Sequence, residues 1–419
     1  MAKFIINGGR PLNGEITVSG SKNAVLPLMA ACLLTEEKCT LHNVPKIADV
    51  DAMVSIIKDL GAEAQYEDHT VSISAKNITK HNPHPDLVGK LRASILLLGP
   101  LLGRIKRVEI PYPGGDRIGA RPINTHVKAL NALGASFQTD DTLTFFVPDE
   151  LKGSKIILEE SSVTATENAI MAAVTAAGTT VIKLAAAEPH VQQLADFLNK
   201  MGARISGAGT TTITVEGVGK LKGAEIDVIP DSEEGASLVI LAAATKSDVK
   251  VSRLNPDALD DFLLKIKSMG VNLEIGSDYV WVKPPKNHYK GHPKLQSGLY
   301  PKLNSDFLPP MAVLATQAEG ETFIYEWMYE NRLGYVQELA KMGAKAEILD
   351  PHRVKITGPA PLVGQKITTF DLRMGITLVI AALIAKGQSE ISDIHHIDRG
   401  YENLEGRLQA LGADIKRIE

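Results

Sequence analysis

Asp59-Leu60-Gly61-Ala62, Ala132-Leu133-Gly134-Ala135, Lys200-Met201-Gly202-Ala203, Ser268-Met269-Gly270-Val271, Lys341-Met342-Gly343-Ala344 and Ala410-Leu411-Gly412-Ala413 are six versions of one four-residue phrase. Their glycines are separated by 73, 68, 68, 73 and 69 residues. Each stands where a helix C-terminus needs a residue tolerant of positive φ, and an alternating, strand-like segment follows, such as Ala203-Arg204-Ile205-Ser206. Earlier in each copy comes an Ala/Leu-rich helix, a turn that is often Gly, then a β-branched strand. Ala176-Ala177-Gly178-Thr179-Thr180-Val181-Ile182 and Ala385-Lys386-Gly387-Gln388-Ser389-Glu390-Ile391 show it. A repeat of roughly 70 residues is larger than the 20–45 residues of a solenoid unit. The expectation is therefore an α/β protein of two domains, each with three repeats. Helices such as Ala236 to Thr245 and Met374 to Ala385 are apolar on nearly every face, which predicts burial behind short sheets.

Three repeats per half place the boundary near Val228-Ile229-Pro230-Asp231. The opening strand, Ile5 to Val18, has no partner in the first repeat and is expected to complete the second half. The expected domains are 21–229, carrying a loop at 113–122, and 1–20 plus 230–419, with crossings near 20 and 230 as a hinge.

The chain of 419 residues is 44% hydrophobic, 22% charged and 5% aromatic, an ordinary globular composition. A net charge of -4 gives no reason to expect nucleic acid or an acidic membrane surface as partner. An anionic ligand would have to be held by local Arg and Lys clusters. The start, Met1 to Ile6 followed by Asn7-Gly8-Gly9, does not supply a signal-peptide core, and the apolar run Leu378 to Ala385 is too short to span a membrane. Cys32 and Cys39 do not form a disulfide framework and fit a reducing cytoplasm. No Cys/His cluster has metal-ligand spacing, and His395-His396 would point to opposite faces of a strand. No metal or cofactor is expected. The chain has no Walker P-loop, GxGxxG, GxSxG or HExxH.

Lys22-Asn23 opens an apolar helix, a position suited to a phosphate or carboxylate. Pro111 to Pro122 places an acid and two arginines among three glycines and three prolines. Turn formers alone make a loop; the charge cluster suits a lid that offers a proton donor to an anionic ligand. Arg92, Arg332, Arg373 and Arg399, with Lys22 and Arg121, are cations in apolar or turn contexts that suit an anion cleft, although each alone also reads as a structural ion pair. Asp306 lies in a Pro-rich irregular stretch where a turn or N-cap role competes with a functional one.

Lys22-Asn23, the loop Gly114-Gly115-Asp116-Arg117-Ile118-Gly119-Ala120-Arg121-Pro122 and His396-Ile397-Asp398-Arg399-Gly400-Tyr401-Glu402 together resemble the enolpyruvyl transferases, in particular the branch acting on UDP-N-acetylglucosamine. The likeness runs from Ile6-Asn7-Gly8-Gly9 to Leu411-Gly412-Ala413 and includes Glu188-Pro189 and Pro230-Asp231. It implies two inside-out α/β barrels of three repeats each. It also implies transfer of enolpyruvyl from phosphoenolpyruvate to the 3'-hydroxyl of the UDP-sugar, an early step of peptidoglycan precursor synthesis. Both partners are small molecules. By this resemblance Lys22 and Asn23 hold phosphoenolpyruvate, Arg121 and Arg399 contact its phosphate, and Arg373 lies in the same anion site. Arg92, the run Arg121, Pro122, Ile123, Asn124 and Thr125, then Ser162, Val163, Asp306, Met328, Arg332 and Asp371 belong to the substrate site. Asp306 is the implied base and Asp116 the loop acid.

Three departures stand out. Asp116 replaces the usual loop cysteine, Ser232 follows Asp231 where an Arg is usual, and Lys286 to Leu308 is longer and divergent. Fosfomycin alkylates the loop cysteine, so Asp116 implies insensitivity. A carboxyl titrating near ~3.9 in water needs burial or a bound anion's charge before it holds a proton at neutral pH. Two alternatives remain: a shikimate-type enolpyruvyl transferase, although Leu91-Arg92-Ala93-Ser94 stands where its Gly-Asn-Ala-Gly-Thr segment would, and a non-catalytic nucleotide-sugar-binding paralogue.

Overall fold

The structure, a computed structural model, describes residues 2–115 and 118–419. It divides into two compact units. The first comprises Gly20–Gly115 and Arg121–Ile229; the second comprises the residues up to Ser19, a short stretch ending at Ala120, and Pro230–Glu419.

The six Gly phrases close six helices in the same way. Gly61, Gly134, Gly202, Gly270, Gly343 and Gly412 all have φ between +90° and +102°. The residue after each donates its N–H five residues back: Ala62 to Ile57, Ala135 to Leu130, Ala203 to Leu198, Val271 to Ile266, Ala344 to Leu339 and Ala413 to Leu408, at 2.9–3.2 Å. This is the Schellman closure, in which the left-handed residue lets the chain turn back and satisfy carbonyls that the helix leaves over. The acceptor residue is Ile or Leu each time and is fully buried, so each cap also pins an apolar side chain into the core.

In the first unit the helices Lys22–Ala31, Leu98–Ile105 and Val163–Ala173 supply the interior. Around them stand sheets ordered Glu225–Asp227, Cys39–His42, Thr70–Ser74, Glu63–Glu67; then Arg107–Ile110, Leu143–Phe146, Ser136–Thr139; and Arg204–Ser206, Thr212–Glu216, Thr179–Lys183, Lys155–Ile157. Within a repeat the strands pair antiparallel. The edge strands Glu225–Asp227 and Lys155–Ile157 are parallel additions, and Glu225–Asp227 comes from the last stretch of the unit to close against its first strand.

The second unit repeats the plan around helices Ser232–Ala244, Leu308–Thr316 and Leu372–Ile384. The opening segment is two strands rather than one. Lys3–Asn7 lies antiparallel between Gln388–Ser392 and Asp414–Ile418, and Asn13–Thr17 lies parallel to Asp248–Ser252. His395 and His396 lie on a short helix, His395–Asp398, not on a strand, with ring centroids 4.1 Å apart. Each unit has its own hydrophobic core. Among the described residues no helix is long and apolar enough to cross a membrane, and no three His, Cys, Asp or Glu side chains are grouped to hold a metal.

The caps differ in how closely they are packed. A Cβ at Gly202 meets nothing within 4 Å, whereas one at Gly61 falls 2.5 Å from Thr79 Oγ1 and 2.7 Å from the Asn77 carbonyl. Gly202→Ala should cost only the left-handed backbone strain, about 1–2 kcal/mol. Gly61→Ala should cost visibly more, read as the shift in urea midpoint. Equal shifts would refute the packing difference.

Candidate functional site

In the first unit Ser21 caps helix Lys22–Ala31, its hydroxyl accepting from Ala24 N at 3.3 Å. Lys22 is the first residue of that helix, half-buried, with Nζ 3.8 Å from Asp49 Oδ2. Asn23 follows it on the same first turn. Arg92 opens a 3-10 turn and donates from Nη2 to the Arg121 carbonyl at 2.6 Å. Arg121 has φ +44°, strained for a non-glycine residue, and the Arg92 guanidinium holds the carbonyl of that strained residue. Two of the sequence-predicted cations are thus joined through one hydrogen bond.

Helix Asn124–Ala132 follows. Pro122 and Asn124 are exposed, but the Ile123 side chain is in the core. Thr125 Oγ1 donates to Glu160 at 3.4 Å. Ser162 caps helix Val163–Ala173, its hydroxyl accepting from Ala165 N at 3.4 Å, so that hydroxyl is committed to the helix.

The loop flanks are tightly fitted. A Cβ at Gly114 would lie 1.7 Å from the Gly89 carbonyl, and one at Gly115, at φ +97°, would lie 2.7 Å from Arg92 Cβ. Only glycine permits that approach. Asp116 lies outside the described residues. In the second unit, Ala120 N donates to Glu330 Oε1 at 2.9 Å and Asn331 N to the Ile118 carbonyl at 3.3 Å.

The second unit's polar cluster centres on Asp306. Its Oδ1 accepts from Arg332 Nη2 at 2.5 Å and its Oδ2 from Arg373 Nε at 2.7 Å. Burial alone would raise the carboxyl, but the Arg373 and Arg332 guanidiniums outweigh it and hold Asp306 well below the usual carboxylate range. Asp306 is therefore an anion with little affinity for a proton, a poor base while both arginines stay on it. Arg332 Nη1 also donates to Ser305 Oγ at 3.1 Å, and Ser305 donates to Glu326 at 2.6 Å. Glu326 in turn accepts from the backbone N–H groups of Met328 at 2.8 Å and Tyr329 at 3.2 Å.

Arg373 reaches Tyr401 OH at 3.4 Å, and Tyr401 donates to Ser237 at 3.1 Å. Burial pushes the Tyr401 hydroxyl up to about 12, so it stays a donor. Asp371 caps helix Leu372–Ile384, its Oδ1 accepting from Arg373 N and Met374 N, both at 2.8 Å. Arg399 sits half-buried at the end of helix His395–Asp398. Its neighbour Asp398 is gripped from both oxygens by Arg417, at 2.6 and 3.0 Å, which fixes the turn to the last strand.

Residues 6–408 match the EPSP synthase (3-phosphoshikimate 1-carboxyvinyltransferase) family. The chain is 43% identical to the UDP-N-acetylglucosamine 1-carboxyvinyltransferase of Bradyrhizobium diazoefficiens, covering 99% of this chain and 98% of that protein. It is 40% identical to that of Borreliella burgdorferi, covering all of both. It belongs to the enolpyruvyl transferase family. Its structure is similar to that of the enolpyruvyl transferase NikO from Streptomyces tendae, with 25% identity, a TM-score of 0.90 and coverage of 100% of this chain and 99% of that one. An EPSP synthase from Acinetobacter baumannii, at 20% identity and a TM-score of 0.78, shares the fold.

Several polar residues of this enolpyruvyl transferase escape a reading of its sequence. Glu233 and Glu326 look like ordinary surface acids, yet both are buried. His126 is 2% exposed, with Nε2 2.9 Å from Thr164 Oγ1 and no hydrogen-bond partner for Nδ1 among the described residues. Burial, assisted by the Arg92 charge, lowers its pKa to about 3. The unfolded His126 titrates near 6.5, so below that pH the unfolded chain takes up a proton that the folded chain refuses. Stability present above about 6.5 is lost as pH falls toward about 3. His126→Gln should flatten the stability-against-pH slope in that window by about 1.4 kcal/mol per pH unit. An unchanged slope in denaturant titrations would remove His126 as an acid-sensitive element.

Proposed function

We propose that this chain transfers the enolpyruvyl group of phosphoenolpyruvate to the 3'-hydroxyl of UDP-N-acetylglucosamine and releases inorganic phosphate, in the cytoplasm, as a step of peptidoglycan precursor synthesis. The observation that carries the reading is identity of 40–43% over essentially the whole length to proteins named for that activity. The arginine-bound Asp306 and the helix-start Lys22-Asn23 are compatible with it.

The reaction is addition then elimination. A proton adds to carbon 3 of phosphoenolpyruvate, carbon 2 becomes electrophilic, and the acceptor oxygen bonds to carbon 2 as its own proton leaves. A proton is then lost from carbon 3 as the bond from carbon 2 to the phosphate oxygen breaks, restoring the double bond. Asp116 is assigned the first proton. Lys22, Asn23, Arg121, Arg373 and Arg399 are assigned to the carboxylate and phosphate of phosphoenolpyruvate, whose negative charge they stabilise through both steps.

Arg92, Pro122 to Thr125, Ser162, Val163, Asp306, Met328, Arg332 and Asp371 are assigned to the nucleotide sugar. Where a side chain is already spent on the fold, the assignment falls on the backbone: Ile123 is a core residue, and Ser162 and Asp371 are helix caps. Asp306 is assigned to the acceptor hydroxyl.

Phosphate release on mixing phosphoenolpyruvate with UDP-N-acetylglucosamine tests the reading. Release only with shikimate 3-phosphate would transfer the chain to the shikimate branch, and UDP-sugar binding without release would make it a binding protein. Lys22→Ala should lower turnover by about 100-fold or more. Asp116→Ala should lower it by a similar factor, on the order expected for a lost general acid. The wild-type chain should resist fosfomycin, whereas Asp116→Cys should be inactivated with time. Rapid covalent inactivation of the wild type would undo the placement of the loop.

A further inference from the structure

Glu326 follows strand Gly320–Tyr325 and is 2% exposed. Its Oε1 accepts from Ser297 Oγ at 3.1 Å, Met328 N at 2.8 Å and Tyr329 N at 3.2 Å, and its Oε2 accepts from Ser305 Oγ at 2.6 Å. A carboxylate has about four acceptor sites, so these two hydroxyls and two backbone N–H groups fill it. None of those donors is a cation. Arg332 is bonded instead to Ser305, with Nη1 donating to Oγ at 3.1 Å.

A serine hydroxyl has one proton to give and accepts with its oxygen. With its proton on Glu326, Ser305 turns a lone pair to Arg332 Nη1, while Arg332 Nη2 reaches Asp306 Oδ1 at 2.5 Å. The guanidinium is thus held on two consecutive residues, and Glu326 sets the polarity of the first. Ser297 acts likewise on the other side. Its oxygen accepts from Trp327 N at 2.8 Å, and Glu326 is nearer to it than its other acceptor, the Tyr325 carbonyl at 3.4 Å. Both hydroxyls come from the divergent stretch 286–308.

We propose that Glu326 is a positioning residue of the acceptor-sugar site. Through Ser305 it fixes Arg332 against Asp306, and through two backbone N–H groups it holds the turn that carries Met328. Both branches end on residues assigned to the nucleotide sugar: Met328 directly, Arg332 and Asp306 by way of Ser305. The inference rests on that assignment.

Glu326→Gln in the full chain tests it. Gln keeps the shape but offers one acceptor oxygen and an amide that donates, in a place where every neighbour donates. Whichever way the amide turns, one branch loses its acceptor. With phosphoenolpyruvate and UDP-N-acetylglucosamine, kcat should fall on the order of 10- to 100-fold through misplacement of Asp306. The Kd for UDP-N-acetylglucosamine, read by calorimetry without turnover, should rise by about 10-fold for a lost hydrogen bond. KM for phosphoenolpyruvate should stay where it is, since no residue assigned to that substrate bonds to Glu326 or Ser305. Wild-type kcat and Kd in the variant overturn the positioning role. So does a KM for phosphoenolpyruvate that rises in parallel, the mark of general loosening.

Ser305→Ala should by itself lower kcat by about 10-fold. Adding Glu326→Gln to it should cost little further kcat, whereas losses that multiply overturn the route through Ser305. Should Glu326→Gln not fold, an unchanged kcat in Ser305→Ala overturns the proposal. Amide exchange needs neither substrate. Met328 and Tyr329 N–H should exchange faster in Glu326→Gln than in the wild type, and equal rates overturn the hold on the turn. A wild-type chain that releases no phosphate, or releases it only with shikimate 3-phosphate, rejects the proposed function, while the exchange rates still decide whether Glu326 fixes the turn.

Discussion

Helices with no face that tolerates water impose the main constraint on this chain. Helix Ser232–Ala244 buries twelve of its thirteen residues, and helix Leu372–Ile384 does the same. Such a helix is stable only where sheets surround it, which is why each repeat brings a short sheet and an outer helix with it. Burial also concentrates the electrostatics. Beyond their first turns these two helices carry no charged side chain, so the N–H groups of the first turn, with the positive end of the helix dipole, gather the polarity at one end. Ser21, Ser162, Asp231 and Asp371 satisfy those groups by capping. The candidate site residues Lys22, Asn23, Val163 and Arg373 sit immediately after the caps.

This placement explains why much of the fold was legible in the sequence and less of the site. The six Leu/Met-Gly phrases are a local requirement: a left-handed residue after a helix is read from one position, and the Schellman bonds follow from it. The apolar helices are equally visible, because a run such as Leu372 to Ile384 has no amphipathic alternative. What the sequence does not carry is which strand closes which sheet. Lys3–Asn7 pairs with strands near residues 390 and 416, a partnership settled by tertiary packing alone. The division of the opening segment into two strands at Gly8-Gly9 was missed for that reason.

The charged residues show the same limit. Arg332 and Arg373 were visible as isolated cations, but the acid they both hold, Asp306, was not legible as their partner. Glu233 could not be singled out, since its burial comes from packing and Asn304, which donates to it, is seventy-one residues away in sequence. His126 was hidden for a similar reason: its hydrogen-bond partner, Thr164, comes from the start of helix Val163–Ala173, thirty-eight residues on.

The grip on Asp306 also bears on how a carboxylate of very low proton affinity could assist a hydroxyl. Two guanidiniums hold a carboxyl whose side chain is still one-fifth exposed, so a hydroxyl can approach it but cannot leave its proton there. An anionic group that draws Arg373 or Arg332 toward itself removes the charge that suppresses proton binding. The carboxyl then rises toward its ordinary range, and further, because burial opposes its charge. Basicity at Asp306 is thus conditional on an anion competing for its arginines. The same ion pairs keep Arg332 and Arg373, each under a tenth exposed, from being buried charges without a partner.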